Sequence, residues 1–166
     1  MESTLEGRFE LTVNRAKTRL VNMRGLGASV NFLGFTFRYD RNATWRRPDG
    51  RVVYRRAASH ERARRYLNVF PSTQAQARIR ARIRELTDTR RCFEPIPRVI
   101  HEVNQVLSGW GRYFSVGHPR AAFRKVNWYV TNSLVRHLRR RSQRPFRPPK
   151  GVSFPQQLAR LGLRLL

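Results

Sequence analysis

The sequence predicts an α+β fold: a small strand hairpin, then a three-helix bundle, then a basic C-terminal tail. Three observations carry that prediction. Apolar and polar residues alternate in "VNFLGFTFRYD" (residues 30–40), the pattern of a strand with one buried face. After Phe70 the apolar spacing lengthens to three and four, the period of an amphipathic helix. Three prolines in "RRRSQRPFRPPK" (139–150) then stop the helical pattern.

Taken in order, the opening reads as a short helix leading into an extended segment near Leu11–Val13. "RGLGAS" follows as a loop, and its Gly25-Leu26-Gly27 is too short to cradle a phosphate. In the strand, Leu33, Phe35, Phe37 and Tyr39 share a face, and Gly34 sits where another backbone can come close. A Pro-Asp-Gly turn and the β-rich run Val52–Tyr54 complete the predicted hairpin with that strand.

The first long helix follows Pro71. Thr73 with Gln76 resembles a capping box, and Ala75, Ile79, Ile83 and Leu86 form one stripe. Arg78, Arg80, Arg82 and Arg84 occupy its flanks and far side. The second starts near Pro95 and keeps helical spacing through Ile96, Val99, Ile100, Val103, Leu107 and Trp110. The third follows His118-Pro119 and aligns Phe123, Val126, Val130, Leu134 and Leu138. Between them lies "LSGWGRYFSVG" (107–117), with flexible residues around Trp110 where packing alone would favour alanine or leucine. Gly109 and Gly111 are read as room for a neighbouring helix around the indole, and Gly117 as a turn. The leucines of the tail need a surface to dock on. Domain boundaries therefore fall at 1–70, 71–142 and 143–166, the last a Pro/Arg-rich tail with a short terminal helix.

Composition narrows the functional classes. The chain has 166 residues, 40% hydrophobic, enough for a core. No apolar run approaches the ~20 residues of a membrane helix, so no membrane partner is expected. Cys92 is the only cysteine, and a reducing cytoplasm is the expected compartment. Net charge is +25, with 32 arginines against three lysines. From Val103 onward there are 13 basic residues and no acidic one. A half with one sign only is not an ordinary solvated surface, where the signs mix. Arginine adds a planar donor fork suited to phosphate and able to stack on bases. Nucleic acid is the partner these features favour.

The segments "LEGRFELTVNRAKTRLV", "FLGFTF" and "LSGWGRYF", in that order, resemble the C-terminal part of group II intron-encoded reverse transcriptases, or maturases. The resemblance runs from about Leu5 to the end. It implies that residues 1–70 correspond to the end of the polymerase palm and 71–142 to the maturase-specific domain X, the thumb. Lys17 would take the place of the motif D lysine near the incoming nucleotide, although Asn-Arg-Ala-Lys-Thr stands where the family usually has Asn-Pro-Glu-Lys-Thr. Phe32, Leu33, Gly34 and Phe35 would match the primer-grip hairpin. Gly109, Trp110 and Tyr113 would match the Gly-Trp-x-x-Tyr signature, with Trp110 read as a core anchor. RNA contact is then expected from Arg78, Arg82, Arg112, Arg120, Arg124, Lys125, Arg136, Arg139, Arg140 and Arg141.

The family's polymerase chemistry uses a Tyr-Ala-Asp-Asp motif and an earlier aspartate holding two metal ions, and neither is present here. No catalytic residue and no cofactor is therefore assigned to this chain, and magnesium is expected only with the missing catalytic palm. His60, His101, His118, His137 and Cys92 show no zinc spacing. Three readings stay open: a thumb that binds intron RNA to assist splicing, the C-terminal half of a split RNA-directed DNA polymerase that needs a separate catalytic chain and binds template–primer duplex, and an inactive remnant exposing Leu33, Phe35 and Phe37.

Overall fold

The computed structural model describes Gly7 and residues 21–23, 27–41, 44–46, 52–54, 65–142 and 146–166. Among them the fold is α+β, with short strands preceding the helices. The strands are β1 (Ser29–Phe32), β2 (Phe35–Arg41), β3 (Thr44–Arg46), β4 (Val52–Tyr54) and β5 (Arg65–Pro71). The helices are α1 (Thr73–Leu86), α2 (Ile96–Tyr113), α3 (Arg120–Arg140) and α4 (Phe154–Arg160), with a 3-10 turn at Thr89–Arg91. The described residues fall into two compact units: one takes in 31–37 and 67–166, the other the residues before 31 and those from 38 to 66. Lys17, the extended segment at Leu11–Val13 and the Pro-Asp-Gly turn lie outside the described residues.

The strands pair differently from the sequence expectation. Residues 30–40 do not form one strand, because the chain reverses at Leu33-Gly34. Strands β1, β2 and β5 make a three-stranded sheet in the order β1-β2-β5, while β4 pairs antiparallel with β3, Thr44 opposite Tyr54 and Arg46 opposite Val52. Gly34 is thus a turn residue rather than a mid-strand one. Both turn residues have positive φ, 48° at Leu33 and 81° at Gly34. That is the backbone of the tight hairpin turn whose twist matches its strands. Glycine adopts it freely, but leucine in the left-handed region costs roughly 1–2 kcal/mol.

The helical stripes fold as the spacing predicts. Helix α1 buries Ala75, Ile79, Ile83 and Leu86; α2 buries Val99, Ile100, Val103 and Leu107. Helix α3 buries Val126, Val130, Leu134 and Leu138, with Ala122, Ser133 and His137 beside them. Each leucine or isoleucine removed from water there is worth about 1.5–3 kcal/mol. The cap of α1 is Ser72 rather than Thr73: the Ser72 hydroxyl accepts from the Ala75 amide at 3.1 Å. Gln76 reaches back instead to the Pro71 carbonyl, at 2.8 Å.

The tail leucines find their surface on this same core. Helix α4 opens with a capping box of Ser153 and Gln156 and carries a fully buried Leu158. Leu163 and Leu166 pack against the core cluster that Leu158 joins. Two asparagines clamp the last turns. Asn104 on α2 donates to the Gly162 carbonyl at 2.8 Å and accepts from the Arg164 amide at 2.9 Å. Asn127 on α3 grips the backbone of Leu166 in the same two-sided way, at 3.0 and 3.1 Å.

The glycines near Trp110 sort out by position. A Cβ on Gly109 would meet nothing within 4 Å, so the close approach expected there does not occur. A Cβ on Gly111 would strike Leu166, so that glycine makes room for the clamped terminus rather than for a helix. Gly117 turns with φ 81° directly over the Val69 carbonyl, where any side chain would collide.

Candidate nucleic-acid interface

Helices α1 and α3 lie side by side in the same sense, and their outer edges bound a two-lobed groove. One lobe, about 350 Å³, is lined by Arg80 of α1 and by Arg124, Lys125, Trp128 and Tyr129 of α3. The other, about 380 Å³, is lined by Arg84, Thr87, Asp88, Thr89, Tyr129, Ser133, Arg136 and Arg140. Tyr129 borders both. The geometry follows from helical spacing: Arg120, Arg124, Trp128, Asn132, Arg136 and Arg140 recur every four residues on α3, and Arg80 and Arg84 do so on α1. These rows stand to the side of the apolar stripes that pack the core.

Six cations therefore face one groove. Arg80, Arg84, Arg124, Lys125, Arg136 and Arg140 are all exposed, and none makes an ion pair among the described residues. Asp88 is the one carboxylate lining the groove, and it is turned to its own backbone, accepting from the Arg90 amide at 2.9 Å. Like charges gathered this closely repel one another, and the repulsion is relieved when an anion enters. Helix α3 also starts without an acidic residue in its first turn, so Arg120 and Arg124 sit at the positive end of its dipole.

The other arginines expected to bind are placed elsewhere. Arg78 and Arg82 project from the far side of α1, and Arg82 pairs with Glu85 at 2.8 Å. Arg112 is exposed near the C-terminal end of α2. Arg139 lies over the Phe154 ring at 4.9 Å and so ties α4 to α3. Arg141 is half-buried and donates to the Glu94 carbonyl.

A separate knot of charge closes the helical unit at the 3-10 turn. Arg91 grips Glu94 with two bonds of 2.6 Å and Glu102 with one of 2.8 Å. These bonds hold both carboxyls below their ordinary range and raise the guanidinium's pKa. His137 is buried beside this knot, its Nδ1 3.2 Å from the Thr87 carbonyl. Burial pushes its pKa down, so the ring is held neutral and Nδ1 donates.

The hairpin and signature motifs meet in space. The Tyr113 hydroxyl donates to the Leu33 carbonyl at 2.9 Å, and the Ser72 amide donates to the Gly34 carbonyl at 2.8 Å. Phe35 stacks on Tyr113 at 5.6 Å and leans on Phe114 at 4.8 Å. Trp110 touches Phe114 at 4.7 Å and Phe123 at 5.6 Å, joining α2 to α3. The half-buried indole is thus a packing anchor. The hairpin tip leaves Phe32 and Leu33 exposed, at 62% and 67%, while Phe35 and Phe37 are half-covered.

Sequence reasoning missed Trp128 and Tyr129 as groove residues and did not single out Arg80 and Arg84. The signal was present: Trp128 falls on the arginine row of α3, two residues from Val126 and Val130, and so cannot share their buried face.

Among the described residues no group of three or more His, Cys, Asp or Glu is placed to hold a metal ion, and no helix is long and apolar enough to cross a membrane. No curated protein and no solved structure matches the chain. The family model for the group II intron maturase-specific domain matches residues 76–150, which include α2, α3, most of α1 and all six groove cations. Over those residues, somewhat less than half of its length, the chain is similar to that family.

Proposed function

We propose that this chain binds group II intron RNA through the α1–α3 groove and favours the folded, splicing-competent form of that RNA. The observation that carries the reading is the set of six cations, without an ion pair among the described residues, on two helices locked into one core within the segment that matches the maturase-specific domain. The mechanism is electrostatic and geometric. Guanidinium groups displace counterions from phosphates, and a rigid scaffold holds them in a fixed register that suits some backbone contours better than others. In a bacterial cell such a role implies a location in the cytosol or nucleoid.

Titration of a structured group II intron RNA against duplex DNA and an unrelated structured RNA, at two salt concentrations, tests it. Engagement of about 6–10 phosphates predicts a fall in affinity of about 10³–10⁵ between 50 and 200 mM salt on the duplex-DNA scale, with a gentler slope for single strands. A preference for the intron that survives the higher salt is the expected result. Equal binding to all three nucleic acids, or a flat salt response, overturns it.

One observation favours a second reading, in which the chain works with a separate reverse-transcriptase chain. The primer-grip-like tip is fastened to the end of α2 by the Tyr113–Leu33 bond, at the expense of a left-handed leucine, and splicing alone gives that tip no use. In this reading the chemical steps belong to the other chain, because the Tyr-Ala-Asp-Asp motif that the family's polymerase chemistry uses does not occur in this sequence. Primer extension on adding a chain that carries the catalytic palm, reduced by Tyr113→Phe, would support this reading.

A further inference from the structure

We infer that the lobe around Trp128 is a stacking site for an unpaired nucleotide of the bound RNA, an inference that rests on the RNA-binding reading above. Trp128 is 70% exposed, although a large indole left in water forfeits the burial that normally stabilises it. Its neighbours are not an apolar patch. Arg80, Arg124 and Lys125 ring it, and Tyr129 continues the aromatic surface toward the second lobe. An apolar, aromatic floor inside a cationic rim matches the two halves of a nucleotide, a flat base and its phosphate. Trp128 and Arg136 are two helical turns apart, about 12 Å along the axis. One strand can therefore lay a base on the indole while a neighbouring phosphate reaches Arg84, Arg136 and Arg140.

The shape of the site points to unpaired RNA. In an A-form duplex the base faces are covered by their neighbours, and the major groove is too deep and narrow for side chains to read. An indole on the floor of a cationic lobe can stack only on a base already free, as at a bulge, junction or loop. A protein partner with an acidic, apolar surface is the competing occupant, and the experiment separates the two.

The full chain is titrated with a single-stranded oligoadenylate carrying one 2-aminopurine, and with a blunt RNA duplex of equal charge. In the wild type the oligonucleotide should quench both 2-aminopurine and tryptophan emission. Trp128→Ala should lower affinity for the single strand roughly 5- to 100-fold, leave the duplex nearly unaffected and keep the salt dependence. Trp128→Phe should recover most of the loss. Because the indole is exposed, thermal stability should not change in either variant, which separates lost stacking from lost fold. Wild-type single-strand binding by Trp128→Ala, or equal losses for strand and duplex, overturns the inference. So does displacement of the oligonucleotide by polyglutamate at equal charge. If Trp128→Ala binds intron RNA as the wild type does, only the stacking site falls. If the wild type binds no RNA, the functional reading falls with it.

Discussion

Arg91 and Arg136 are the same side chain put to opposite uses. Arg91 is 22% exposed and holds two glutamates with bonds of 2.6–2.8 Å. Arg136 is exposed and makes only a 3.4 Å bond to the Asn132 carbonyl of its own helix. The difference lies in where the few acids went. Of the four acidic residues between 71 and 102, Glu94 and Glu102 are taken up by Arg91, Glu85 by Arg82, and Asp88 by the cap of the 3-10 turn. None reaches Arg84, Arg136 or Arg140, although Asp88 borders the same lobe. Acidic side chains stabilise the joint between α1 and α2, and no acid among the described residues balances the charge of the groove.

The sharpest way to break this contrast is to loosen the scaffold both arginines depend on. Leu158→Ala opens a cavity in the shared core and should cost about 2–5 kcal/mol in denaturant unfolding. If the tail were only a loose appendage, the cost would be near zero. Next comes the groove. Replacing Arg124, Arg136 and Arg140 together by glutamine should reduce RNA affinity by about 10²–10³ at low salt and lower the salt slope by roughly one for each lost contact. Melting temperature should hold or rise, because unbalanced positive charge has been removed. Arg91→Met is the reciprocal case. It leaves Glu94 and Glu102 with only the longer contacts to Arg98, at 3.9 and 3.4 Å, so it should lower the melting temperature by several degrees and leave the salt slope of RNA binding unchanged. Should Arg91→Met alter the slope as much as the groove variant, the division into structural and binding arginines is wrong.

The smallest expected effect is acid sensitivity of the knot. Burial depresses the His137 pKa in the folded chain, with Arg141 and Arg91 adding to the depression. Below the unfolded value near 6.5 the unfolded chain binds the extra proton, so stability is full above that pH and declines as pH falls through it. Glu94 and Glu102, depressed by Arg91, add a second decline below their unfolded value of 4.5. Thermal melts at stepped pH should show both phases, and His137→Gln should remove the first. A melting temperature that is flat from pH 7.5 to 5.5 would exclude a buried neutral His137.

The helices were legible in the sequence because burial repeats with the helical period: Ile79, Ile83 and Leu86 lie inside for the same reason that Arg80 and Arg84 lie outside. The strands were less so. Leu33 continues the alternation of a strand, and no local rule puts a leucine at φ 48°. It is held there by partners far along the chain, Tyr113 at its carbonyl and Phe114 against Gly34. Trp110 packs against Phe114 and Phe123, and of its flanking glycines Gly111 makes room for Leu166 rather than for a helix.

Charge sign and the apolar stripes of the three long helices were determined by the sequence alone, since each depends on residue type and on spacing within a single element. Which arginines stay unpaired, which aromatic rings remain in water and where the last leucines dock were decided only in the tertiary structure. Those outcomes depend on distances between elements, and a linear order of residues does not contain them.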